Sequence, residues 1–503
     1  MPPLSPGGKA AYDCYMDTAA ILAIDQGTTS SRSIVFGVGA GRPVASAQKD
    51  LVQYYPGDGW VEHDAEELWR DVLETARAAL AASPVAVAAI GIANQRETVV
   101  VWERATGRPI HRALVWQDRR TADVCARLRM EGVEALVTAR TGLLLDPYFS
   151  AAKIAWVLDA VPGARAAAAR GELLCGTVDC WLLWRLTGVH ATDATNASRT
   201  SLFDIHRQCW DENMLRLFRV PAAILPEVRD NAGVFGVTAA GLFPRRLAVA
   251  GMAGDQQAAL VGQGCLAPGM MKATYGTGCF ALCHTGAVAV ASGHRMLTTV
   301  ASRLDGRVAY ALEGAIFVAG AAVGWLRDGL GVIGAAAETA GLAATVPDSH
   351  GVYMVPGFVG LGAPHWNPSA RGLICGLTLD CTGAHLARAA LEAVAFQTLD
   401  LVEAMGADGA GVPDVLRVDG GMAANDWLCQ FLADVIGRPV ERPAVLETTA
   451  WGAAVLAGVG AGVLAGLDAV PWRAERRFVP RMAGAVRDGM VAGWRRAVAR
   501  ALG

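Results

Sequence analysis

An apolar run, Ile21-Leu22-Ala23-Ile24, leads into a polar turn, Gly27-Thr28-Thr29-Ser30, and a second apolar run, Ile34-Val35-Phe36, leads out of it. This predicts strand, tight turn, strand, with Gly27 free to take a positive φ. Val85 to Ala93 is a second strand-like run, and it delivers Asn94-Gln95-Arg96-Glu97-Thr98 at its end. Leu247 to Gly254 is a strand of small residues that delivers Asp255-Gln256-Gln257, followed by a helix from Ala258 to Gly262. Met270 to Cys283 repeats the opening design around Gly276-Thr277-Gly278. Val415 to Asp419 is a strand that runs into Gly420-Gly421 and then a helix. Leu68, Val72, Ala76 and Leu80 recur at helical spacing behind Asp64 and Glu67, a helix-start signature. Further helices are predicted from Gly176 to Gly188, from Ala311 through Leu326 and from Ala384 to Met405. The uncharged, glycine-rich stretch from Ala450 to Leu467 reads as buried helix, turn and second helix rather than as a membrane span.

Strands alternating with helices point to an α/β chain. One Gly/Thr hairpin in each half suggests two similar domains. Residues 19–268 form the first and 269–503 the second, with Pro268-Gly269 at the boundary. Residues 1–18 read as a loose N-terminal extension.

Composition narrows the function. With 503 residues and a net charge of −3 there is no basic field for nucleic acid or an anionic membrane. None of the four lysines, Lys9, Lys49, Lys153 and Lys272, completes a P-loop, and neither H-E-x-x-H nor G-x-S-x-G occurs. The 11 cysteines contain no C-x-x-C pair, so reduced, buried thiols in a cytoplasmic protein are expected.

The residues at the predicted turns carry the chemistry. Thr28, Thr29 and Ser30 bring hydroxyls and backbone N–H groups to one point, and Arg32 adds a cation. That set suits an anion with several oxygens, and Asp25 at the strand end suits the Mg²⁺ of a nucleotide. Arg96 and Glu97 at the end of a buried strand are costly unless paired or used. Asp255 before a helix suits either catalysis or a structural N-cap, and both readings stand at this point. Trp116 beside a charged cluster fits core packing as well as a site. At Gly421 a flat ring fits against bare backbone, with a helix N-terminus behind it for phosphate.

Asp25-Gln26-Gly27-Thr28-Thr29-Ser30-Ser31-Arg32 resembles the first phosphate motif of glycerol kinases, members of a carbohydrate-kinase family that shares its fold with hexokinase and actin. Asn94–Glu97, Asp146–Ser150, Gly254–Leu260, Thr274–Phe280 and Asp419–Asn425 extend the resemblance over nearly the whole chain. It implies two actin-like, ribonuclease H-like domains with mixed sheets flanked by helices and a ligand cleft between them. It also implies ATP-dependent phosphorylation of glycerol to sn-glycerol 3-phosphate.

By the same resemblance, Arg96, Glu97, Tyr148, Asp255 and Gln256 hydrogen-bond glycerol, while Trp116 and Phe280 pack on its carbons. Thr28, Thr29, Ser30, Arg32 and Thr277 hold the ATP phosphates, and Gly320, Gly421 and Asn425 line the nucleoside site. Asp255 is the implied base, and Asp25 and Asp255 serve Mg²⁺. The implied protein is cytoplasmic, has no membrane insertion, and forms a homodimer or homotetramer.

Some positions depart from the family pattern. Gly324 stands where such kinases usually carry Gln, on the nucleotide side. No histidine lies between His206 and His284, which argues against control by phosphorylation of a loop histidine. Two rival readings remain at this stage: a sister kinase for another polyol or ketose, and a nucleotide-binding switch without transfer.

Overall fold

The computed structural model describes residues 19–39 and 41–503, so the expected N-terminal extension lies outside the described residues. Two compact units result. The first holds the described residues up to Gly264, with Thr299–Tyr310 and Thr448–Trp472; the second holds Cys265–Thr298, Ala311–Glu447 and Arg473–Gly503.

A six-stranded mixed sheet forms the first unit. Its order is Ala232–Val237, Ala248–Gly254, Val87–Asn94, Ala20–Gln26, Ser30–Gly37, Arg42–Asp50. The three inner strands Ala248–Gly254, Val87–Asn94 and Ala20–Gln26 are parallel, and the outer pairings are antiparallel. Gln26, Asn94 and Gly254 lie in one row of the register. Three parallel strands therefore finish together, and the residues that follow each of them emerge along one edge. Open α/β sheets bind their ligands at such an edge.

The second unit repeats this plan. The strands that lie wholly within it run in the order Cys279–Gly286, Met271–Tyr275, Leu416–Asp419, Val440–Pro443, Ala474–Phe478. Met271–Tyr275 is antiparallel to its hairpin partner and parallel to Leu416–Asp419, which is parallel to Val440–Pro443. Both halves thus place a hairpin beside parallel strands.

Apolar periodicity explains the covering helices. In Ala65–Ala82 the residues Leu68, Val72, Ala76 and Ala79 are buried against the sheet, with Leu22, Ile24 and Val35 in the same cluster. Asp64 caps this helix by accepting from the backbone N–H groups of Glu66 and Glu67 at 2.8 and 3.2 Å. The helix Thr448–Gly460 lies so close to the sheet and to the helix Asp255–Gly262 that a Cβ on Gly91, Gly251, Gly262 or Gly452 would overlap backbone atoms. Its glycines therefore serve close packing.

Four local expectations change. Gly27 does not take a positive φ, because the hairpin from Gln26 to Ser30 closes through a wider loop that ordinary backbone angles accommodate. Arg307–Ile316 is a strand, and the helix begins only at Gly320. The stretch after Gly460 is turns rather than a second helix. The segment expected as one helix from Gly176 opens with a strand, Leu173–Thr177, and is helical from Val178 to Thr187.

Among the described residues every cysteine is free, and no helix is long and apolar enough to cross a membrane.

Candidate active site

The ends of the first unit's parallel strands bring most of its expected site residues together. Arg96 follows the strand Val87–Asn94, and Asp255 follows its neighbour Ala248–Gly254. Arg96 Nε lies 3.1 Å from Asp255 Oδ1; the Arg96 side chain is 2% exposed and that of Asp255 is 28% exposed. The guanidinium also donates from Nη1 to Gln257 Oε1 at 3.3 Å. Gly254 makes this geometry possible, since a Cβ there would stand 2.7 Å from Cγ and Cδ of Arg96. Asp255 is the first residue of its helix, with Gly254 in the cap position, and its Oδ1 accepts from the Gln256 N–H at 2.7 Å. The carboxylate thus sits at the positive end of a helix beside a buried cation, with part of its surface open to a ligand.

Glu97 is held differently. It has a φ of 62°, unusual for a residue with a side chain and worth about 1–3 kcal/mol of strain. Its carboxylate accepts from Arg199 Nε at 2.7 Å, and both side chains are buried. Its main-chain carbonyl accepts from Ser150 Oγ at 3.1 Å. The Arg199 guanidinium lies 5.7 Å from the Tyr148 ring centroid and 5.4 Å from that of Phe149.

The aromatic wall follows from these contacts. Trp116 and Tyr148 meet edge to face at 5.6 Å and 73°. The Tyr148 N–H donates to Asp146 Oδ1 at 2.9 Å, and Arg119 donates to the same oxygen at 2.8 Å. Beneath the loop, the fully buried Lys153 ammonium donates to Pro147 O at 3.2 Å and Tyr148 O at 2.5 Å. Burial holds the Lys153 pKa down to about 8, against the upward pull of Glu97, Asp118 and Asp146.

The first hairpin supplies the hydroxyls. Trp116 Nε1 donates to Thr28 Oγ1 at 2.8 Å, which leaves the Thr28 hydroxyl hydrogen available to a further acceptor. Arg32 faces Asp25 across the hairpin register, and its Nε donates to Gln48 Oε1 at 3.0 Å. Thr29 is exposed, and Ser30 and Asp25 are half-buried. Behind the strand ends, Asp179 and Asp193 are both fully buried. Burial and then the neighbouring Asp193 raise the Asp179 pKa to about 7, and burial raises that of Asp193. Asn196 donates to Asp193, and Asn94 donates to Asn196 and Asp179.

The second unit contains a cavity of about 840 Å³ lined by Thr277, Gly320, Gly324, Gly421 and Asn425, among others. A Cβ on Gly421 or Gly324 would meet nothing within 4 Å, so both present bare backbone to open space. At Gly320 a Cβ would stand 2.6 Å from Gly276 O, which keeps the second hairpin turn against the helix Gly320–Asp328. The Gly320 and Ala321 N–H groups donate to Gly276 O and Thr277 O at 3.0 Å each. Asn425 caps the helix Asp426–Ile436 through its Oδ1, which accepts from the Leu428 N–H at 3.0 Å. Phe280 belongs to the second hairpin of this unit.

Sequence reasoning passed over Arg199, Lys153 and the small-residue wall Ala336, Ala337 and Ala340 of the cavity. What marks Arg199 is that its polar stretch, Thr192–Thr200, is buried throughout.

Among the described residues no three His, Cys, Asp or Glu side chains are grouped to hold a metal. Asp25 and Asp255 are hard oxygen donors at strand ends. They suit an ion such as Mg²⁺ that draws its other ligands from phosphate and water.

Family models place residues 20–262 in the N-terminal domain and residues 271–461 in the C-terminal domain of the FGGY family of carbohydrate kinases. The chain is 60% identical to a glycerol kinase of Gluconobacter oxydans over 96% of this chain and 95% of that protein. It is 61% identical to one of Rhodospirillum centenum over 95% of this chain and 97% of that protein. The crystal structure of Plasmodium falciparum glycerol kinase with ADP superposes with a TM-score of 0.90 at 34% identity, covering 96% of this chain and 98% of that one.

Proposed function

The chain belongs to the FGGY family of carbohydrate kinases, with the actin-like fold of its sugar kinases, and we propose from its site how it carries out ATP-dependent phosphorylation of glycerol. The observation that carries the reading is the pairing of Arg96 with Asp255 at the ends of two neighbouring parallel strands.

Glycerol offers three hydroxyls and three carbons. Arg96 and Gln256 donate to its oxygens, while the Glu97 and Asp255 carboxylates accept from its hydroxyls. Tyr148 does either. The carbon backbone lies against Trp116. Losing one hydrogen bond to a charged group costs about 1.5–3 kcal/mol, enough to select a small polyol through several such bonds.

The attacking hydroxyl gives its proton to Asp255 as its oxygen bonds to the γ-phosphorus, and the bond to the β,γ-bridging oxygen breaks to release ADP. Arg96 keeps Asp255 aimed. Thr28, Thr29, Ser30 and Arg32 hold the phosphates. Gly320, Gly421 and Asn425 line the nucleoside end, within the cavity of the second unit. Such transfer rests on positioning and charge stabilisation more than on covalent chemistry. Asp25 and Asp255 would hold Mg²⁺, which neutralises phosphate charge when bound.

A substrate panel tests this reading. ADP release is followed with glycerol, larger polyols and ketoses at equal concentration. Glycerol should exceed the others by at least about tenfold, the cost of a single lost or misplaced hydrogen bond. A faster ketose would transfer the pocket to a sister substrate.

A further inference from the structure

Gln95 lies in a closed circuit of hydrogen bonds within the first unit. Its Nε2 donates to Gly27 O and to Gln26 Oε1, both at 3.0 Å, and so grips the hairpin turn. Its Oε1 accepts from Thr98 Oγ1 at 2.7 Å. Thr98 Oγ1 accepts in turn from the Trp116 N–H at 3.1 Å. Trp116 closes the circuit through Nε1, which donates to Thr28 Oγ1 at 2.8 Å.

Both Gln95 and Thr98 are fully buried. The Gln95 amide nitrogen also lies 3.3 Å from His63 Nδ1, so both of its donors are used, and each hydroxyl in the chain has a partner. A satisfied network of this kind in a low-dielectric interior is stiff. Arg96 and Glu97 are the two residues between Gln95 and Thr98, so the Thr98-to-Gln95 bond also closes the turn that carries them. The Thr98 N–H donates to Arg96 O at 2.8 Å across the same turn.

We infer that Gln95 and Thr98 are positioning residues that couple filling of the polyol site to the grip of the first hairpin on nucleotide phosphates. The inference rests on the reading of the site given above. A polyol that orders Trp116, Arg96 and Glu97 orders Gly27 and Thr28 through the circuit. The coupling is reciprocal, so nucleotide tightens polyol binding by the same factor.

The test uses the full-length protein and a non-hydrolysable ATP analogue with Mg²⁺. Its dissociation constant is measured by calorimetry with and without saturating glycerol, for wild type, Thr98→Val, Thr98→Ser and Gln95→Met. Wild type should bind the analogue at least about 5-fold more tightly with glycerol, the lower end of ordinary coupling factors. Thr98→Val and Gln95→Met both remove the Thr98-to-Gln95 bond and each removes further bonds of its own; each should bring the factor close to one, and Thr98→Ser should restore it. A purely structural role would lower the melting temperature and leave the factor unchanged, and that result overturns the inference. Two wild-type outcomes separate this inference from the reading beneath it. If wild type binds glycerol but the analogue's affinity does not change, this inference alone falls. If wild type binds no glycerol, the polyol reading falls and the coupling falls with it.

Discussion

Arg96 Nε and Asp255 Oδ1, from the ends of adjacent parallel strands, stand 3.1 Å apart beside a glycine that has no room for a side chain. Gly254→Ala would place a methyl group 2.7 Å from Cγ and Cδ of Arg96. The guanidinium must then move, because the Gly254 backbone is fixed by its place in the sheet and by its N–H donating to Thr195 Oγ1 at 3.0 Å. This variant should raise the KM for glycerol by about ten- to a hundredfold, as expected for a lost charged hydrogen bond, with a smaller change in the KM for ATP. Steady-state kinetics with each substrate varied in turn checks it.

The Glu97–Arg199 pair predicts a stability effect. Arg199→Leu removes the nearer of two cations from a buried carboxylate, leaving Arg96 Nε at 4.0 Å from Glu97 Oε1, at a residue already held at positive φ. Breaking such a pair should cost about 3–5 kcal/mol. Urea unfolding of the variant measures this, and a loss below about 1 kcal/mol, the range of exposed pairs, would contradict it.

Gly324 predicts a gain. A Cβ there meets nothing within 4 Å, and Gly324 borders the cavity of the second unit. Gly324→Gln should fold normally and lower the KM for ATP a fewfold, about the effect of one neutral hydrogen bond, without altering the KM for glycerol. An unchanged or raised KM for ATP would mean that the nucleotide does not reach this wall.

The buried Asp179–Asp193 pair predicts a pH dependence of stability. The Asp179 pKa is raised to about 7 in the folded chain, above its ordinary value of 3.8. A folded pKa above the unfolded one means that the native state binds more protons between those values. Its contribution is fully present below the ordinary value and is lost as pH rises through 7. The melting temperature of wild type minus that of Asp179→Asn should therefore fall as pH is raised from 4 to 8. A difference that rises over this range would reverse the assignment.

Strand ends and hairpins were legible in the sequence because each joins an apolar run to a polar turn with few alternatives. Asp25–Arg32, Arg96–Glu97, Asp255 and Gly420–Gly421 were found on that ground, and the structure sets those of the first unit at one sheet edge. What the sequence hid was long-range. Arg199 is 102 positions from Glu97, and nothing local marks it as a partner. Ala311–Ile316 reads as the start of a helix because its small apolar residues fit a buried strand and a buried helix equally well, and sheet pairing decides between them. The glycines of Thr448–Gly460 lower the hydrophobicity of their stretch, and what they do, pack against Gly262 and the sheet, depends on residues far away in the chain.

The most direct test is single-turnover phosphorylation of glycerol by wild type and Asp255→Asn, with glycerol and ATP affinities measured alongside. The account predicts that the variant binds ATP as wild type does and that its transfer rate falls by about 10²–10⁴, the usual contribution of a positioned general base. A variant that transfers phosphate within a fewfold of wild type would contradict the assignment of Asp255 as the base.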